Sequence, residues 1–144
     1  MRFLLDTNTL SETVKRTPDP NVDAWFREQR PGDAAVSAMS MGEIRKGLAR
    51  LGPGERKQQL GRWLYAYLPR EYAGNVLPVD QSVAMEWGRL AEQARRTGRH
   101  LDAVDGLIVA TARVRRLVLI SRNVRHCAGW GARVFNPWSG ESIK

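Results

Sequence analysis

From Val104 to Val114 the chain is apolar almost all the way round a helix, and no other stretch constrains the fold as strongly. A surface helix shows one apolar stripe, whereas a helix without a polar face belongs at the centre of a domain. The flanking sequence offers the cover such a helix needs. Short apolar runs at Arg2–Leu5, Ala34–Ser37, Val76–Val79, Val118–Ile120 and Arg133–Phe135 alternate with longer stretches of helical period. That alternation predicts an α/β domain with a parallel sheet.

The helical stretches carry their own punctuation. The first is expected over about Thr9 to Arg16, ended by Thr17-Pro18-Asp19-Pro20, and the second over Val22, Trp25 and Phe26, stopping before Pro31-Gly32. Ile44, Leu48 and Leu51 predict a helix from Met41 to Arg50, broken by Gly52-Pro53-Gly54. Leu60, Trp63, Leu64, Tyr67 and Leu68 share one helix face. Asp80 caps a helix with the face Val83, Trp87, Leu90 and Ala94, and Gly98 stops it. Pro78 assigns the third strand to a sheet edge. Arg133–Phe135 reads as the last strand, and the residues after Trp138 as a tail.

The 144 residues fit one domain, 1–144, large enough to bury a core unaided. The single cysteine, Cys127, can form neither an internal disulfide nor a cysteine-based zinc site, and fits a reducing cytoplasm. The apolar start of the chain stops at Asp6, too soon for a signal peptide or a membrane span. A net charge of +8, mostly from arginine, favours a polyanionic partner such as RNA or DNA, or an acidic protein. No helix-turn-helix or zinc motif supports a purely DNA-binding role.

Three acids fall where an open parallel sheet binds ligands, at the carboxyl ends of its strands. Asp6 follows the first strand, Glu43 opens the third helix and Asp105 opens the apolar one. Crowded carboxylates repel one another, and a hard cation such as Mg²⁺ or Mn²⁺ removes that penalty. Each acid also has a plainer reading. Asp6 can cap a strand-to-helix turn, Ser40-Met41-Gly42-Glu43 matches a capping box, and Asp102 and Asp105 suit a helix N-terminus.

The local sequences around these acids resemble a known family. Leu4-Leu5-Asp6-Thr7-Asn8 looks like the opening motif of the PIN domains, and Met41-Gly42-Glu43-Ile44-Arg45-Lys46-Gly47-Leu48 resembles the second. Asp105-Gly106-Leu107-Ile108-Val109-Ala110-Thr111-Ala112 is very similar to the third, and the most specific of the matches. Ser121-Arg122-Asn123 looks like the fourth, and Val134-Phe135-Asn136-Pro137-Trp138 resembles the closing segment of the VapC and FitB branch.

That resemblance implies a three-layer α/β/α sandwich with a parallel sheet of four or five strands. It implies an Mg²⁺- or Mn²⁺-dependent endoribonuclease, the toxin of a toxin–antitoxin pair, cutting a structured RNA of the tRNA or ribosomal class. It also implies a homodimer and a cognate VapB- or FitA-like antitoxin, assembled with it on operator DNA. Asp6, Glu43 and Asp105 are then the metal-binding and catalytic acids. Thr7, Asn8 and Ser121 stand beside them, and Arg45, Lys46, Arg122 and Arg125 are candidates for the RNA-binding rim. Many members carry a fourth acid where this chain has Asn123 or His126. Either Asp102, three residues before Asp105, supplies that carboxylate, or Asn123 offers an amide oxygen in its place, or three acids suffice.

Two other readings remain open on the sequence. A strand ending in Asp also opens phosphatases of the haloacid dehalogenase type, but those need a second Asp where Asn8 stands. A PIN-like domain without a productive metal site would serve as an RNA- or antitoxin-binding module. Trp25, Trp63 and Tyr67 either fill the core or present an aromatic surface to a partner.

Overall fold

The computed structural model describes residues 1–144. Six strands form one sheet: β1 (Phe3–Leu5), β2 (Ala34–Ser37), β3 (Val76–Leu77), β4 (Val118–Ile120), β5 (Val134–Phe135) and β6 (Ser142–Ile143). Their spatial order is β3-β2-β1-β4-β5-β6. The first five run parallel, with Leu5 opposite both Val36 and Ile120, and Ile120 opposite Phe135. β3 lies at the edge, as its following Pro78 requires.

Side chains alternate across this sheet as the two-residue period of a strand dictates. Leu4, Ala35, Leu119 and Val134 face one core, while Leu5, Val36, Ile120 and Phe135 face the other. The first core is closed by α6 (Gln81–Thr97) and α7 (Ala103–Arg115), through Val83, Leu90, Ile108 and Val109. The second is closed by α1 (Thr7–Glu12), α3 (Ala38–Arg50) and α4 (Glu55–Arg62), through Leu10, Ile44, Leu48 and Leu60. α2 (Pro20–Glu28) adds Trp25 and Phe26 to that side. The result is a mixed α/β sandwich of three layers, and α7 is the apolar helix of the sequence.

Several boundaries differ from the expected ones, each for a local reason. α1 starts at Thr7 because Asp6 is its N-cap, taking the Thr7 N–H at 2.8 Å. α3 starts at Ala38, one turn early, because the Ser37 hydroxyl accepts the Met39 N–H. The expected capping box at Ser40 and Glu43 is therefore not made, since both lie inside the helix. The helical face from Leu60 to Leu68 is not one α-helix. Trp63–Tyr67 forms a π-helical turn, in which the Leu68 N–H reaches Trp63 O five residues back, and α5 (Leu68–Glu71) follows. Pro69, lacking an N–H and crowding the carbonyl four residues earlier, accounts for the wider turn. The segment after Trp138 is not a free tail. β6 pairs antiparallel with β5, Ile143 opposite Val134.

Trp63 is buried, and Trp25 packs edge-on against Phe3 and Phe26, whereas Tyr67 is 54% exposed. The aromatic set thus divides between core and surface. No helix is long and apolar enough to cross a membrane.

Candidate metal centre

β1 is the point where the chain reverses its direction of travel across the sheet. β2 and β3 are laid down on one side of it, β4 to β6 on the other. A crevice opens at such a reversal because the loops leaving the two neighbouring strands turn to opposite faces. Asp6 leaves β1 and Ser121 leaves β4, so the two face each other there. Ser121 Oγ donates to Asp6 Oδ2 at 2.6 Å, and the Asp6 N–H donates to Ile120 O at 2.9 Å. Asn8 Nδ2 lies 3.4 Å from the same carboxylate oxygen and 3.5 Å from Ser121 Oγ. Asp6 therefore caps α1, as its plainer reading had it, and is also held by three further groups.

Glu43 arrives from the opposite strand–helix unit. Thr7 Oγ1 lies 2.5 Å from Glu43 Oε1 and 2.9 Å from Ser40 Oγ. An ionised carboxylate only accepts, so the Thr7 proton goes to Glu43 and Ser40 supplies its own to Thr7. Ser40 was not among the expected site residues; its place one helical turn before Glu43 is the signal that points to it.

Asp105 comes from the first turn of α7. Burial pushes the Asp6 carboxyl up from its ordinary value. The Ser121 and Thr7 hydrogen bonds act against that rise, and the charges of Asp105 and Glu43 add to it. Burial also pushes Asp105 up, with Asp102 adding and His126 and His100 opposing. Asp105 and Glu43 thus each repel the Asp6 carboxylate. As the side chains stand, no three His, Cys, Asp or Glu groups enclose a single point. The donor set nevertheless fits a hard divalent cation: carboxylate oxygens in mutual repulsion, which a cation would draw together.

The other expected residues are distributed around this centre. Asp102 is exposed and serves as the N-cap of α7, its Oδ2 accepting the Val104 and Asp105 N–H groups at 3.1 and 3.3 Å. Asn123 is exposed, and only its backbone N–H engages the site, donating to Ser121 Oγ at 3.1 Å. Arg122 donates its N–H to Asn8 Oδ1 at 3.3 Å and holds its guanidinium 5.4 Å from the Trp138 ring. Arg45 and Lys46 are exposed on the α3 turn that carries Glu43. Arg125 and His126, on α8 (Val124–Cys127), line a cleft with Asp102 and Asp105. Cys127 is buried, and burial pushes its thiol up to about 12, with Asp6 adding to the rise, so it stays an uncharged packing group.

Known proteins share this fold. The model of the PIN domain matches residues 3–128. The chain belongs to the PIN-domain family. Among curated relatives, this PIN domain is 34% identical over 136 residues to toxin FitB of Neisseria gonorrhoeae, covering 94% of this chain and 98% of FitB. It is 33% identical to VapC ribonuclease Y4jK of Sinorhizobium fredii, covering 94% of this chain and 97% of that one. A solved structure of FitAB bound to an IR36 DNA fragment contains a chain that superposes with a TM-score of 0.87 at 32% identity, covering 94% of this chain and 95% of that one. The PIN domain described here thus groups with the FitB and VapC branch, as its closing segment implies.

Proposed function

We propose that this PIN domain is a toxin ribonuclease that cleaves a structured RNA, of the tRNA or ribosomal class, with Mg²⁺ or Mn²⁺ held by Asp6, Glu43 and Asp105. The observation that supports this best is the convergence of β1, β4 and α3 at the sheet reversal, where Asp6 and Glu43 are oriented by Ser121 and Thr7. A bound divalent ion would acidify a water for attack on phosphorus and offset charge on the leaving oxygen.

The chain's own residues do the rest. Thr7 and Ser40 fix the Glu43 carboxylate, and Ser121 and Asn8 fix that of Asp6, so neither needs to reorganise as charge develops. Asn123 steadies Ser121 through its backbone N–H, and Asp102 stays with its helix cap. Exposed Arg45, Lys46, Arg122 and Arg125 offset repulsion between the acids and the RNA backbone.

The relatives include a toxin solved with its partner on DNA. We infer a cognate antitoxin for this chain too, and a toxin–antitoxin assembly on operator DNA, with the toxin as a homodimer. A groove of about 280 Å³ between α1, α2 and α5, lined by Val22, Phe26, Leu68 and Tyr72 together with Glu71, suits an amphipathic antitoxin segment. Sequencing RNA ends after induced expression tests the activity. The parent should leave discrete cleavage sites, and Asp105→Asn and Glu43→Gln should leave none. Equal cleavage by Asp105→Asn would overturn the metal-site reading, and no cleavage by the parent, with antitoxin still bound, would leave a binding module.

A further inference from the structure

Beside Asp6 and Glu43 lies a cleft of about 430 Å³ that sets two arginines and two histidines alongside Asp102 and Asp105. One wall is Arg99 and His100, on the loop entering α7; the other is Arg125 and His126, on α8. Asp102 and Asp105 line the side nearest the metal centre. None of the four basic groups makes an ion pair with either acid. His100, Arg125 and His126 are exposed, and their side chains donate to no other protein group.

The cleft is built rather than incidental. The Arg99 guanidinium lies 4.3 Å from the centre of the Trp130 ring, and its Nη2 donates to Arg125 O at 3.0 Å, tying one wall to the other. Gly129 leaves room for this. A Cβ there would meet Arg99 Nη1 at 2.5 Å, and the φ of +84° is one that side chains rarely adopt. Two guanidinium groups in the lining would repel a metal ion. A tetrahedral anion fits. Arginine and histidine can surround it with N–H donors, and an imidazole keeps one donor even when neutral.

We propose that this cleft seats the RNA phosphodiester adjacent to the scissile one, so that the strand runs from the carboxylates out between α8 and the loop before α7. The inference rests on the ribonuclease reading for its ligand but not for its test. Binding of a short fluorescein-labelled 2′-O-methyl oligoribonucleotide is measured in metal-free buffer across a salt series, so no cleavage and no metal are required. A His100→Ala/Arg125→Ala double variant should bind about tenfold more weakly. Its plot of log affinity against log salt should be shallower by ~0.7 for each single-strand phosphate that the variant no longer neutralises. Arg125→Glu alone, at an exposed position, repeats the test should the double variant melt early. Unchanged affinity and slope in variants that melt with the parent would overturn the proposal, even if RNA is still cut. Loss of binding would uphold it, even if the parent cuts nothing.

Discussion

Thr7 Oγ1 stands 2.5 Å from Glu43 Oε1, joining the first turn of α1 to a helix that begins 31 residues later in the chain. The hydroxyl is the only protein donor to that carboxylate. Thr7→Val keeps the shape and removes the donor. Loss of an outer partner to a metal ligand typically costs about 10–100-fold in metal affinity. Calorimetric titration with Mn²⁺ should show a loss in that range, with recovery in Thr7→Ser. An unaltered Thr7→Val would mean that Glu43 orients itself.

Ser121 acts on Asp6 through a pKa as well as through geometry. Its hydrogen bond lowers a carboxyl that burial raises, so Ser121→Ala should raise Asp6 further. A metal must displace the proton from a protonated ligand. The variant's Mn²⁺ affinity should therefore fall more at about pH 6 than at about pH 8. Equal losses at both would leave Ser121 a purely steric role.

The raised carboxyls make a stability prediction for the metal-free protein. A folded-state pKa above the unfolded value means that stability is present below the unfolded pKa and is lost as pH rises through the folded one. Asp6 and Asp105 thus oppose folding at neutral pH. Asp6→Asn should raise the metal-free melting midpoint at neutral pH, since it removes the buried charge. Excess Mn²⁺ should reverse the ranking, because only the parent binds it fully. A lower metal-free midpoint in Asp6→Asn would show that the Thr7 and Ser121 bonds outweigh the burial.

Gly106 sits in α7, where alanine would gain up to about 1 kcal/mol of helix propensity. Its Cβ would meet Trp87 Cδ1 at 3.0 Å and Leu101 Cδ2 at 3.2 Å. Overpacking of this kind costs about 1–3 kcal/mol, so packing outweighs propensity. Gly106→Ala should lower the melting midpoint, and a rise would show that the Trp87 ring moves aside freely.

Asn123→Asp tests the residue that stands in for a fourth acid. Its backbone already bonds Ser121, one hydrogen bond from Asp6. The variant should bind Mn²⁺ more tightly, and its stability should depend more on metal. Asp102→Asn should change metal affinity little, since that carboxylate caps α7. The reverse ranking would make Asp102 the fourth ligand.

The sequence revealed the elements with a strong period or a clear stop: α7 by its apolar circumference, α6 by Asp80 and Gly98, and β4 by Val118-Leu119-Ile120. It missed β6, because two residues carry no period. It mistook the capping of α3, because Ser37 and Ser40 are both plausible caps and only the strand's exit direction chooses between them. Asp6, Glu43 and Asp105 were singled out by their motifs and by their places at strand and helix ends. The contacts that orient them were not, since the Thr7–Glu43 and Asp6–Ser121 bonds span 36 and 115 positions. The cleft of Arg99, His100, Arg125 and His126 was hidden for the same reason: its walls lie far apart in the chain and meet only through Arg99.

The π turn at Trp63–Tyr67 has a meaning for chain length. Such a turn holds one residue more than an α-helical path needs, and it lets the flanking turns keep their faces. Leu64 and Leu68 both stay buried, while Tyr65 and Tyr67 bulge outward. Deleting Ala66 would bring Leu64 and Leu68 to a spacing of three, which still shares one face of an α-helix. With Pro69 also replaced, so that no ring crowds the carbonyl four residues back, this segment can shed a residue without changing phase, whereas one residue removed from α7 would swing its apolar side chains about 100° away from the sheet. Deletion of Ala66 should thus be tolerated when Pro69 is replaced as well, and a deletion in the central helix should not.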